Sequence, residues 1–127
     1  MSERTVYEYA IVRVVPRVER EEFVNVGIAL YCRKQRYAAL KFHIDASRLK
    51  AMFEGVDIDL IKSHLESFSR ICAGDKTAGK IAQLDQTERF RWLTAKRSTI
   101  IQCSVSHPGM CISAEQTHQE LFEKLVL

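Results

Sequence analysis

Apolar and polar positions alternate through the first third of the chain and recur at helical spacing in the second. Val6 to Val15 holds two tyrosines and five β-branched residues and stops at Pro16, which has no amide hydrogen for a ladder. Both faces of this stretch are largely apolar, which predicts a central strand. Residues 17 to 23 are too charged for a core and predict a turn or a single helical turn. Val24 to Cys32 alternates, with Val24, Val26, Ile28, Leu30 and Cys32 on one face and Asn25, Gly27, Ala29 and Tyr31 on the other. It predicts a second strand, antiparallel to the first. The small residues of its second face admit close approach by a packed helix or by a ligand. A short basic link, Arg33 to Arg36, leads into a third strand, Tyr37 to Ile44, so a hairpin is expected.

Helical spacing then takes over. Asp45 is placed to cap a helix from Ala46 to Phe53, with Leu49, Met52 and Phe53 inward. Ile58, Ile61, Leu65, Phe68 and Cys72 mark a stronger helix that starts near Asp57 and stops at Gly74. Residues 75 to 85 read as a polar loop with one turn at Lys80 to Gln83. Asp85 with Glu88 resembles a capping box for a helix through Leu93. Thr99 to Val105 reads as a fourth strand, with Ile101, Cys103 and Val105 on one face, and His107-Pro108-Gly109 reads as a turn. Ser113 with Gln116 opens a last helix, lined on one face by His118, Leu121, Phe122 and Leu125. The order β-β-β-α-α-α-β-α predicts an α+β fold. Its expected form is a mainly antiparallel sheet of about four strands with the helices packed on one face, as a single domain over residues 1–127.

Composition narrows the function classes. The chain has 127 residues, 46% hydrophobic and 28% charged, with a formal net charge of +3. That charge is too small to announce a nucleic-acid binder. Cys32, Cys72, Cys103 and Cys111 form no C-x-x-C pair and fall in apolar settings, so reduced thiols in a core are expected. No apolar run is long enough to span a bilayer, the N-terminal residues do not form a signal peptide, and the cytoplasm is the expected compartment. No metal box, phosphate loop or nucleophile elbow is present. The reading leans away from an enzyme and calls for no cofactor.

The polar residues inside apolar segments are the candidate chemistry. Arg13 shares a strand face with Tyr7, Tyr9 and Ile11. A guanidinium there needs a partner, because an unpaired buried charge is costly. An internal ion pair, for example to Glu22, is the plain explanation. An anionic ligand is the sharper one, since the planar fork suits phosphate or carboxylate. Asn25 can fix the turn before it or face the same ligand. Arg97 and Ser98, followed by Thr99, either end a helix or hold an anionic group. Cys103, His107 and Cys111 are zinc-ligand types at a spacing that is not a zinc motif, so no metal site is expected. Arg33, Lys34, Arg36, Lys41, Arg48 and Lys50, with Asp45 as the sole acid among residues 33–50, form the largest charge asymmetry. A solvated hairpin tip explains them, and a track for a nucleic-acid backbone, chiefly through Arg33, Lys34, Arg36 and Lys41, is the alternative.

Three stretches carry a resemblance. The run AIVRVVPRVEREEFVNVGIALYC, then RICAG at 70–74, then ERFRWLTAKRSTIIQ at 88–102, resemble in order the bacterial family called domain of unknown function 3037. No activity comes with the resemblance. Members of that family are often encoded beside kinases related to the HipA toxins, so the resemblance implies a protein partner of the HipA-like kinase class. It also implies a His-x-Gly turn after the fourth strand, matched by His107 and Gly109. Pro108 stands where threonine is expected, which removes any hydroxyl role there.

Three functions follow, in order. The first is a small accessory or interaction domain working with a protein partner. The second is a nucleic-acid or nucleotide-phosphate binder. The third is a hydrolase or nuclease with Glu22 and His107 as acid and base. Any anion site is expected where Arg13, Asn25, Arg97, Ser98 and His107 meet.

Overall fold

The computed structural model describes residues 3–127. Strand β1 (Thr5–Val14) is the centre of a five-stranded antiparallel sheet. β2 (Val24–Cys32) pairs along one side of it, and β3 (Tyr37–Phe42) pairs with the outer side of β2. β4 (Ile101–Cys103) and β5 (His107–Cys111) follow one another along the other side of β1. The central position accounts for the two-sided apolarity of β1, in which Ala10, Val12 and Val14 are fully buried.

The alternation of β2 does not run unbroken. Val12 lies opposite Gly27 and Arg13 opposite Asn25, so Val26 is an extra residue and β2 is bulged there. The bulge splits the expected apolar face. Val24 and Val26 join a core with Ala29 and Tyr31, whereas Leu30 and Cys32 belong to a second core. Gly27 answers to a strand, neither to a helix nor to a ligand: a Cβ there would stand 2.7 Å from the Lys41 carbonyl oxygen of β3.

Helices α1 (Ala46–Met52), α2 (Ile58–Cys72) and α3 (Gln86–Thr94) cover one face of the sheet. Each begins where the sequence supplies a cap: Asp45, Asp57 and Asp85 accept from the amides of Arg48, Leu60 and Glu88. Leu49, Leu65, Phe90 and Leu93 fill the core beneath them, each contributing roughly 1.5–3 kcal/mol by leaving water. The expected one-sided packing of helices is corrected by α4 (Ala114–Leu125). Its Ala114 and Leu121 pack with Leu30, Cys32, Tyr7, Tyr9 and Tyr37, which are on the opposite face from Tyr31 and Ala38. A central strand apolar on both sides needs cover on both sides, and α4 supplies the second layer.

The expected fourth strand and turn are also revised. The ladder breaks after Cys103 because the Ser104 hydroxyl accepts the Ile11 amide at 2.8 Å, in place of a backbone carbonyl. The chain then rejoins β1 as β5, so His107-Pro108-Gly109 is strand, not turn. Proline is tolerated because β5 pairs with β1 alone and is an edge. Gly109 lies opposite Tyr7, whose phenol occupies the space of the missing side chain; a Cβ would stand 2.5 Å from it.

Candidate functional site

At the Val14 end of β1, the β1–β2 connection meets the loop between α3 and β4. A cleft of about 360 Å³ opens between them, lined by Arg13, Glu21, Phe23, Lys96, Arg97, Ser98 and neighbouring side chains. Strand register delivers Arg13 to this rim, with Asn25 opposite on β2 and Gln102 opposite on β4. The guanidinium carbon of Arg13 lies over the ring of Phe23, 4.0 Å from its centre. The expected pairing with Glu22 does not form; Glu22 pairs with Arg20. Arg13 Nε is buried without a hydrogen-bond partner, and so is Asn25 Oδ1. The amide nitrogen of Asn25 donates to the Leu125 carbonyl at 3.3 Å and ties the end of α4 to the sheet.

Arg97 serves two masters. Its Nη1 donates to the Leu93 carbonyl at 2.6 Å and its Nη2 to that of Trp92 at 2.7 Å, so it closes the C-terminus of α3. It also stacks on Trp92 and Phe68. It brings a fixed charge to the cleft wall, with most of its donors engaged elsewhere. Ser98 is exposed beside it. His107 is not in the cleft. It packs with its ring tilted against that of Tyr9, its partner across the β1–β5 ladder. Tyr9 is four residues from Arg13, about 13 Å along the strand. The cleft therefore unites Arg13, Arg97 and Ser98, places Asn25 behind them and leaves His107 away. Lys96 was not anticipated. Its signal in the sequence is the contiguous run Lys96-Arg97-Ser98.

The other candidate constellations are dispersed. Glu22 lines a separate cavity of about 590 Å³ with Arg17 and Arg20, against Met52 and Phe53, so Glu22 and His107 do not share a site with the two arginines. Cys103 donates to the Leu93 carbonyl and packs toward α3, while Cys111 packs under α4. Their strand faces are opposite. Among the described residues, no group of three or more His, Cys, Asp or Glu is placed to hold a metal ion. The four cysteines are unbonded to one another. Burial pushes the Cys72 thiol up to about 12 and that of Cys103 up to about 11, which keeps both protonated and poor nucleophiles. The basic run is not one strip. Arg33 and Arg36 flank Asp85 and Thr87, Lys34 is 4.0 Å from Glu3, and Lys41 donates to Gln119 of α4.

Two polar arrangements were not legible beforehand. Glu8 of β1 accepts both terminal nitrogens of Arg91 from α3, at 2.8 and 2.9 Å, and the hydroxyl of Ser106 at 3.2 Å. Those bonds hold its carboxyl below the usual range. His118, on the inner side of α4, is completely buried between Tyr37 and the Ile28 carbonyl.

The family model described as "Protein of unknown function (DUF3037)" matches residues 9–126. The chain belongs to the DUF3037 family. No curated protein and no solved structure matches it. In this DUF3037 chain the matched span contains the whole cationic cleft and all of β5. No helix among the described residues is long and apolar enough to cross a membrane.

The second surface feature of the DUF3037 fold is the β5 edge. Val6 and Met110 are cross-strand partners, and each is more than half exposed, at 55% and 59%. Ile112, two residues on from Met110, is 56% exposed, and Val105 is 76% exposed. The three helices of that face leave this corner of the sheet uncovered. A Pro-Gly pair has the local character of a turn, so the sequence carries no plain strand signal beyond Val105.

Proposed function

We propose that this chain is an accessory domain that docks a protein partner on the β5 edge and the adjoining apolar sheet face. The observation that carries the reading is the exposure of Val6 and Met110 as a cross-strand pair beside an open strand edge. Contiguous apolar surface and an unpaired edge are both hazards that soluble proteins normally cover. Pro108 withholds one donor from that edge, so the side-chain face rather than an added strand would carry most of the contact. A HipA-like kinase, the class implied by the sequence resemblance, is the partner to try.

The test is co-expression with a HipA-like kinase from the same genome, followed by co-purification and titration. The reading expects a stable complex that Val6→Glu with Met110→Glu weakens at least about tenfold, as loss of buried apolar anchors does. A complex indifferent to both substitutions, or no complex with the kinase, counts against it. Binding of nucleic acid along the hairpin is less well supported, because Lys41 is turned toward α4 and away from Arg33 and Arg36.

A further inference from the structure

We infer that the cleft between the β1–β2 connection and the α3–β4 loop binds a phosphate group, with Arg13 as its main contact. The inference is independent of the partner-docking face, which lies at the other end of β1.

Charge is the first argument. Arg13, Lys96 and Arg97 line the cleft against one carboxylate, Glu21. Three cations less one anion leaves two positive charges in a space of about 360 Å³, in a chain whose whole excess is +3. None of the ion pairs among the described residues involves Arg13, Lys96 or Arg97. No ion pair among the described residues therefore neutralises these three cations.

Geometry is the second. The N–H donors of a guanidinium lie in its plane. Phe23 holds the Arg13 guanidinium by a cation–π contact, 4.0 Å from Cζ to the ring centre, which neutralises none of its charge. Nε is buried without a partner, a deficiency that costs stability unless something is recruited. Arg97 is held rigidly by the end of α3, so its charge is fixed in place before any ligand arrives. Lys96 and Ser98 are exposed and add a mobile cation and a neutral hydroxyl.

Valence is the third. A carboxylate satisfies one fork. A phosphate dianion has more oxygens and twice the charge, which suits cations arriving from the sheet on one side and a loop on the other. The cleft is larger than a bare phosphate, and Val18 and Phe23 give it an apolar wall. Free phosphate and a phosphomonoester share the recognised chemistry, and the experiment separates them.

The experiment titrates the full chain with inorganic phosphate, phenyl phosphate and acetate, following amide shifts by NMR. Saturable binding of a phosphate probe is expected, with shifts at Phe23 and at residues 96–98. Phenyl phosphate binding tighter than inorganic phosphate would identify an ester as the ligand, and equal binding would identify the free ion. Arg13→Met is expected to weaken binding about tenfold or more, the equivalent of losing one charge-assisted bond, and Lys96→Met to weaken it several-fold. Lys96 is exposed, so its variant reads the site even if Arg13→Met perturbs the fold. Val6→Glu with Met110→Glu should leave phosphate binding unchanged. Absence of saturation, equal affinity for acetate, or undiminished binding by both cleft variants would overturn the assignment. So would binding seen only with a single-stranded oligonucleotide, which would make the cleft part of a backbone track instead.

Discussion

Tyr37 Oη lies 2.7 Å from His118 Nδ1, and on the far side of the ring His118 Nε2 lies 2.6 Å from the Ile28 carbonyl oxygen. The carbonyl only accepts, so Nε2 carries the hydrogen. The neutral ring then accepts at Nδ1, and the Tyr37 hydroxyl donates. This chain of two bonds joins α4 to β2 and β3. Tyr37→Phe removes the one donor to a fully buried nitrogen. It should cost about 1–2 kcal/mol, the penalty of an orphaned acceptor. Urea unfolding of the variant beside the parent measures it, and coincident curves would dismiss the bond as a stabilising element.

Stability should also depend on pH through His118. Burial pushes its pKa down to about 4, from an ordinary 6.5. Between those values the unfolded chain takes up a proton that the folded chain refuses. The contribution is complete above 6.5 and is lost as pH falls toward 4, on the order of 3 kcal/mol in all. Glu8 and Asp75, whose carboxyls are held below their usual values by Arg91 and by Thr77 with Arg70, lose their contributions only at lower pH. Unfolding free energies at about pH 7 and about pH 5 should therefore differ more for the parent than for His118→Leu. Parallel pH profiles would contradict this.

Gly109 is required by Tyr7. A methyl group at 109 would meet the phenol at 2.5 Å, and the ring is confined by Tyr9 beside it. Gly109→Ala should destabilise by about 1–3 kcal/mol, the usual range for overpacking. Combining it with Tyr7→Leu should recover part of the loss. A double-mutant cycle with no coupling would show that the ring moves aside freely.

The Glu8–Arg91 fork is well formed but half exposed. Its coupling energy should be about 0.5–1 kcal/mol and should shrink with added salt. Single and double alanine variants, compared at low and high ionic strength, provide the measurement. A salt-independent value well above that range would mean that Ser106 and α3 reorganise with the pair.

Arg13 should be nearly dispensable for folding. It has no carboxylate to leave stranded, only the Phe23 stack. Arg13→Met should therefore change stability by less than about 1 kcal/mol, far from the several kcal/mol of a broken buried ion pair. A drop of melting temperature beyond about 8 °C would point to a hidden partner.

The sequence by itself determined the elements whose signals are local. Two-sided apolarity made β1 central, alternation made β2, and Asp45, Asp57, Asp85 and Ser113 each started a helix because a side-chain oxygen three residues before an amide is a local geometry. The candidate residues Arg13, Arg97 and Ser98 were legible for the same reason: charge and hydroxyl stand out against an apolar run. What required the tertiary structure was every relation between distant segments. The bulge at Val26 depends on how β1 lies against β2. The break at Ser104 depends on a hydroxyl reaching Ile11, 93 residues away in sequence. The strand character of His107 to Cys111 depends on the N-terminal half of β1 being free to pair. Arg13 and Lys96 share a cleft because the sheet ends beside the loop after α3, and His107 is excluded because β5 joins the opposite end of β1. Period and propensity act over a few residues, whereas register and layering are settled by pairing and burial across the whole chain.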